Sequence, residues 1–354
     1  MFVQLANEFV ALGIRVDFAL ASARGPYLDE IAANVRIIDF SASGVRRALP
    51  KLARYLRLER PDVMLSGLDH ANLIAILARF VSGNRTRCVI SMRSVPTAVY
   101  RVDRSVRGRI ASHLMRAAYR FADKIIANSE FVALDLSQFL VVPSGKLHVI
   151  YNPLNINAIE TSSRVTIDHP WCAAGAPPIV LGVGSLAVLK DFPTLIRAFS
   201  SVRSKRDCRL VILGEGPDRG KLEMLICKMG LQRDVYLPGF VSNPYVWMRR
   251  AGVFVSSSLT EGCPNALMQA LACGTPAVST DCPGGSAEIL ERGKWGRLVP
   301  VGESEAMAAA ISSTLASTTH PDVRKRANDF ALNKIAQEYL HILLPDYLPS
   351  APER

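Results

Sequence analysis

Glu261-Gly262-Cys263-Pro264-Asn265 joins an apolar, β-branched run (VFVSSS, 253–258) to a segment whose apolar positions Ala266, Leu267, Ala270 and Leu271 recur at helical spacing. A short loop feeding a helix leaves backbone N–H groups pointing outward, and the helix dipole there favours an anion by roughly 0.3–1 kcal/mol, up to about 2 when partly buried. Asn265 reads as the N-cap, while Gly274 and then Pro276 stop the helix. Gly262 lets a ligand approach the backbone closely. Glu261 supplies a carboxylate that accepts from hydroxyls, and Gln269, about two turns on, offers an amide to a second set. A ligand with phosphate in the middle and hydroxyls at both ends fits this pattern, and a nucleotide sugar is such a ligand. The plainer alternative is a capped core helix.

Lys190 adds a cation. PIVLGVGSL (178–186) reads as a strand running into Gly182 and Gly184, and Lys190-Asp191-Phe192-Pro193 opens the following helix, with Pro193 suited to its first position. A lysine in a glycine-containing turn before a helix N-terminus is placed for a diphosphate. The run Gly182-Val183-Gly184-Ser185-Leu186-Ala187 has no third glycine three residues on, so the dinucleotide fingerprint is not met.

Residues 256–289 resemble the donor-site signature of the family 4 retaining glycosyltransferases of GT-B fold, which carries two glutamates separated by seven residues. Glu261 matches the first glutamate, which the resemblance assigns to the transferred sugar. Position 269, assigned to the nucleotide ribose, is glutamine here. A neutral amide replaces a charge-assisted bond at a loss of roughly 1 kcal/mol at most. The family also has an arginine followed five residues later by a lysine. This chain has Ser185 and Lys190 at those positions, so one phosphate cation is missing. The resemblance further implies that the turn Gly239-Phe240-Val241 lies where the base is read through the backbone. Glu261 and Lys190 are thus the expected catalytic residues. Gly184, Ser185, Gly214, Gly239, Phe240, Val241, Gly262, Cys263, Pro264, Asn265, Ala266 and Gln269 are the expected donor-binding set.

The 354 residues suffice for two domains, with 49% hydrophobic and 21% charged residues. No run of 18 apolar residues suggests a membrane span, and Asn7 and Glu8 interrupt the first apolar stretch where a signal peptide would continue. The seven cysteines are scattered, form no CxxC pair, and fit a reducing cytoplasm. Residues 1–157 hold 21 Lys and Arg against 12 Asp and Glu, a net +9, whereas 158–354 hold 21 against 19, a net +2. That asymmetry points to an anionic partner for the first half. No nucleic-acid motif is present and aromatic residues are not interleaved with the basic ones, so an anionic membrane surface is favoured over nucleic acid. Residues 99–120 carry arginines at 101, 104, 107, 109, 116 and 120 beside the apolar Ile110, Leu114, Ala117 and Ala118. They read either as a lipid-facing helix or as a solvated helix packed on a sheet.

The elements that must position these groups alternate as in a parallel sheet with crossover helices. The first half reads as a helix over 1–12, strands at 14–20 and 35–40, and a basic helix over 45–60 kinked at Pro50. Strands follow at 62–66, 87–92, 124–129 and 147–152, with helices at 70–81 and 130–140. His70 and Arg93 follow strand ends, where open α/β sheets place ligands, and are the acceptor-side candidates. Residues 153–177 lose periodicity. Strands then follow at 178–186, 209–213, 235–240, 253–258, 277–281 and 297–303, with a helix at 218–229, a second helix start near Ser286 and helices over 303–317 and 328–343. A doubly wound domain opens with a strand and a glycine-rich turn, yet this chain opens on a helix, which leaves neighbouring strands with unpaired edges. The expectation is a native start about 20 residues upstream, with Met1 an internal or misassigned start.

The fold class expected is α/β of GT-B type, with two Rossmann-like domains whose parallel sheets face an interdomain cleft. The domains are 1–157 for the acceptor, a linker at 158–177, 178–330 for the nucleotide sugar, and 331–354 as a helix crossing back and a tail. The function implied is retaining transfer of a hexosyl or N-acetylhexosaminyl group from a UDP- or GDP-sugar to a saccharide or lipid-linked acceptor in cell-surface polysaccharide synthesis. The setting implied is cytoplasmic or peripheral on the inner membrane face. No cofactor or metal is expected, in keeping with the lack of a DxD motif. The alternatives are a nucleotide-sugar-binding protein impaired in turnover and a sugar-nucleotide epimerase of the same fold.

Overall fold

The computed structural model describes residues 1–25, 28–100, 106–139 and 144–347, and of residues 99, 100, 106–112 and 144 the backbone alone. Arg101 and Arg104, and the side chains of Arg107 and Arg109, therefore lie outside the described residues. The chain forms two compact units, Met1–Pro153 with Leu332–Arg354, and Leu154–Ala331.

The first unit runs α1 (Phe2–Ala11), β1 (Asp17–Leu20), β2 (Arg36–Asp39), α2 (Leu49–Glu59), β3 (Val63–Gly67), α3 (Asp69–Ser82), β4 (Arg87–Met92), α4 (Pro96–Tyr100), α5 (Val106–Tyr119), β5 (Lys124–Ala127), α6 (Glu130–Phe139) and β6 (Leu147–Val149). Pro50 does not kink a long helix. A 3-10 turn, Val45–Ala48, precedes it, and Pro50 sits in the first turn of α2, where its missing N–H costs nothing. Strands β3-β4-β5-β6 form one parallel sheet and β1-β2 another. Among the described strands, β1 pairs only with β2 and β3 only with β4, so the unit carries two inner edges. Strand β3 is half-buried along its whole length, unlike β4 and β5.

The side-chain period of two divides the core of this unit. Cys88, Ile90, Met92, Ile125 and Ala127 face one layer with Met115, Tyr119, Val132 and Leu136. Val89 and Ile126 face the other, against Leu5 and Phe9 of α1. The same layer receives Ile335, Ala336, Tyr339, Leu340 and Leu343 of the final helix, so that helix packs on the first unit. Each Leu, Ile, Val, Phe or Met side chain among them contributes roughly 1.5–3 kcal/mol on burial.

The second unit runs α7 (Ile156–Ser163), β7 (Ile179–Val183), α8 (Phe192–Arg203), β8 (Arg209–Leu213), α9 (Arg219–Lys228), β9 (Val235–Gly239), α10 (Tyr245–Arg250), β10 (Val253–Ser256), α11 (Asn265–Ala272), β11 (Ala277–Thr280), α12 (Ser286–Ile289), β12 (Arg297–Val299), α13 (Ser304–Ala316) and α14 (Val323–Ala327). Helix α15 (Leu332–Leu343), the last element among the described residues, belongs to the first unit. The stretch read as aperiodic carries α7, whose N-terminus is capped by Asn155 accepting from Ala158 N at 3.0 Å. The helix expected over 328–343 is broken at Ala331. Leu154 N donates to Phe330 O at 2.8 Å, and Leu154 forms a bridge with Ala331. All six strands are parallel in the order β12-β11-β10-β7-β8-β9. Strand order reverses between β7 and β10. Open α/β sheets bind ligands at such a reversal, beyond the strands' carboxyl ends.

Candidate active site

Lys190 follows β7 and Glu261 follows β10. These strands are hydrogen-bonded neighbours through Val253 with Val180 and Phe254 with Leu181. The reversal thus brings together residues 71 positions apart in the chain, and the Lys190 Nζ donates to Glu261 Oε1. The side chains are 26% and 13% exposed, so the pair is shielded but reachable.

Three buried hydroxyls hold this pair. Ser258 Oγ donates to Glu261 Oε1 at 2.7 Å, and Ser257 Oγ donates to Lys190 O at 2.7 Å. Thr280 Oγ1, at the end of β11, donates to Ser258 O at 2.6 Å. Leu259 N donates to Leu189 O at 2.8 Å, tying the two loops together by backbone. Sequence reading did not single out these hydroxyls. The visible signal was the serine run ending a buried strand.

The loop after Glu261 is stitched to the loop after β11. Glu261 N donates to Pro283 O at 3.1 Å, Gly285 N to Gly262 O at 3.0 Å, and Thr260 Oγ1 to Pro283 O at 2.9 Å. Gly284 adopts φ +133°, and a Cβ there would lie 1.5 Å from Glu261 O. No other residue type fits that approach.

Pro264, not Asn265, occupies the N-cap position of α11, and no side chain caps this helix end. The fixed φ of Pro264 places Asn265 inside the first turn, exposed. Cys263 is buried with its Sγ 3.3 Å from Met268 Sδ, and Pro264 is buried beside it. Gly262, Ala266 and Gln269 are half-buried, and Gln269 Nε2 donates to Tyr245 Oη of α10 at 3.5 Å.

Gly184 and Gly214 directly follow β7 and β8, and Gly239 is the last residue of β9, paired with Leu213. Gly184 N donates to Leu213 O at 2.9 Å and Gly214 N to Gly239 O at 2.8 Å. Gly214 has φ +139° and would place a Cβ 1.9 Å from Gly184 O. The Lys190 stem lies against Gly184, where a Cβ would meet Cε at 3.2 Å. Ser185 is exposed. Phe240 is 73% exposed and Val241 half-buried. In the first unit, His70 lies exposed in the first turn of α3, and Arg93 follows β4 with its guanidinium over the Phe2 ring at 5.7 Å.

Residues 1–158 match the family model described as Glycosyltransferase Family 4, and residues 177–317 the one described as Glycosyl transferases group 1. A Campylobacter jejuni protein named N-acetylgalactosamine-N,N'-diacetylbacillosaminyl-diphospho-undecaprenol 4-alpha-N-acetylgalactosaminyltransferase is 32% identical over 299 residues, 83% of this chain and 78% of that one. The chain belongs to the family 4 glycosyltransferases. As a family 4 glycosyltransferase it is an enzyme of polysaccharide or glycoconjugate synthesis. The lipopolysaccharide core biosynthesis glycosyltransferase LpsE of Rhizobium meliloti is 25% identical over 97% of this chain and 94% of its own. The GT-B fold of this glycosyltransferase is shared with sucrose-phosphate synthase from Thermosynechococcus elongatus (TM-score 0.79, 21% identity, 96% and 90% covered). Anabaena HepE in complex with UDP-glucose is equally similar (TM-score 0.79, 20% identity, 97% and 94% covered). Among the described residues, no helix is long and apolar enough to cross a membrane.

Proposed function

We propose that this enzyme moves a hexosyl or N-acetylhexosaminyl group from a nucleotide sugar to a saccharide or lipid-linked acceptor, with retention at the anomeric carbon and without a metal. The observation that carries this is the convergence of Lys190 and Glu261 at the β7/β10 reversal, beside the uncapped start of α11. Donor binding divides the pair. The diphosphate oxygens take the ammonium of Lys190 and the outward amides of the Gly262–Ala266 turn, while ring hydroxyls donate to the Glu261 carboxylate. As the bond to the anomeric carbon breaks, negative charge grows on the leaving diphosphate, and fixed donors aimed at that charge lower the barrier. Gln269, held toward Tyr245, takes the ribose, and Phe240 and Val241 line the base. A fold shared with a protein crystallised with UDP-glucose favours UDP over GDP as nucleotide. The name of the Campylobacter relative favours a lipid-linked diphosphate acceptor at a membrane surface.

Incubating the protein with UDP- and GDP-sugar panels and a polyprenyl-diphosphate saccharide tests the reading. Transfer with retained configuration supports it. Tight donor binding with no turnover, or formation of an epimer of the donor sugar, sinks it.

A further inference from the structure

Helix α3 ends in an apolar face that its own unit does not cover. Leu77, Phe80 and Val81 are exposed within one turn of one another, the last two at 56% and 57%. Phe121, just after α5 and 44% exposed, stands edge-on to Phe80 with ring centroids 5.1 Å apart. Four large apolar side chains thus form one outward patch.

Basic groups rim this patch, and their contacts fix them there. The Arg120 guanidinium lies 4.8 Å from the centroid of the Phe121 ring. Lys146 Nζ donates to Arg120 O at 2.9 Å and to Ala122 O at 3.0 Å, flanking the same aromatic. Arg57 of α2 donates to Val81 O at 3.0 Å and to Ser82 O at 3.3 Å. Arg79 donates to Phe121 O at 3.2 Å and is paired with Asp123 at 2.8 Å. Arg57, Arg120 and Lys146 form no ion pair among the described residues, so the rim has three uncompensated positive charges.

We propose that this patch is where the enzyme docks on an anionic lipid bilayer, with Phe80, Val81, Leu77 and Phe121 entering the acyl boundary and the basic rim meeting the headgroups. The charge pattern selects that occupant. An apolar centre ringed by unpaired cations matches a surface that is apolar below and negative above, and each basic residue near such a surface adds attraction that salt screens. A second copy of this chain would set cation rim against cation rim. The proposal rests on the functional reading above only for a membrane-borne acceptor. It shares Arg120 with the segment 99–120 but is centred on the end of α3 and on Phe121, which lie outside that segment.

Vesicle co-sedimentation of the full chain tests it. Wild type is expected to pellet with vesicles of phosphatidylglycerol and phosphatidylcholine, to lose that binding as salt is raised, and to stay in solution with phosphatidylcholine alone. Arg120→Gln is expected to weaken partitioning about fivefold. The double variant Phe80→Ser, Phe121→Ser is expected to weaken it at least about tenfold while a cooperative thermal unfolding transition persists, because both rings lie at the surface. Donor hydrolysis or transfer to a water-soluble acceptor should be equal in wild type and variants. Failure of that transfer in wild type, with vesicle binding intact, overturns the functional reading and not the docking site. Three results overturn the docking site: no binding to anionic vesicles, equal binding by the variants, or a dimer in light scattering that the Phe80, Phe121 variant abolishes.

Discussion

Glu261 has two hydrogen-bonding partners on one oxygen, the Lys190 ammonium and the Ser258 hydroxyl. A carboxylate so held cannot rotate freely, and Ser258 is itself fixed through Thr280. Ser258→Ala is predicted to lower transfer about tenfold, the worth of one hydrogen bond to a charged group, while the fold persists. Steady-state kinetics should show the loss mainly in kcat, and Ser258→Thr should recover part of it. Unchanged kcat in the alanine variant would make the hydroxyl a loop fastener only. Glu261 and Lys190 were legible because an acid and a base before two helix starts have a shared chemistry. Ser258 was not, because its partner is chosen by how two loops cross. Asn265 misled for a local reason. It is a good capping residue, but the proline before it takes that place.

At the scale of elements, the site is a seam between strand ends. Gly184 and Gly214, just after β7 and β8, and Gly239, closing β9, let these strand ends touch backbone to backbone. Gly214→Ala puts a Cβ within 1.9 Å of a carbonyl at a φ unfavourable to L residues, and it is predicted to cost more than about 2 kcal/mol in chemical unfolding. Gly220→Ala, in the first turn of α9 with nothing within 4 Å, is predicted to be neutral or stabilising by up to about 1 kcal/mol. Equal effects of the two would refute the close-packed seam. The inner strands β7, β8, β10 and β11 were readable as continuous apolar runs because both of their faces are buried. Helix α7 was missed because it is short and its apolar positions are few. The break before α15 was missed because a distant residue, Leu154, makes it.

For the whole molecule, buried thiols in both units set an alkaline limit. Burial pushes Cys88 and Cys273 up to about 12 and Cys208 up to about 11, from an ordinary value of 9.0. A raised folded value means the unfolded chain ionises first. These thiols therefore leave stability untouched below pH 9 and lower it from pH 9 toward 12. Guanidinium midpoints measured at pH 8, 9, 10 and 11 should hold and then drop, and Cys88→Ala should drop less. A midpoint that stays flat to pH 11 contradicts this. Among the described strands the first unit holds two separate parallel sheets, β1-β2 and β3-β4-β5-β6.

The central claim is that Lys190 holds the diphosphate and Glu261 the transferred sugar. Calorimetric titration of UDP into wild type, Lys190→Ala and Glu261→Gln, paired with transfer assays on the same samples, tests it most directly. Lys190→Ala should weaken UDP at least about tenfold, as expected for a charge-assisted contact worth 1.5–3 kcal/mol. Glu261→Gln, which releases Lys190 from its ion pair, should bind UDP at least as well as wild type and lose transfer about 100-fold or more. A Glu261→Gln variant that transfers at the wild-type rate, or a Lys190→Ala variant that binds UDP as tightly as wild type, would contradict the account.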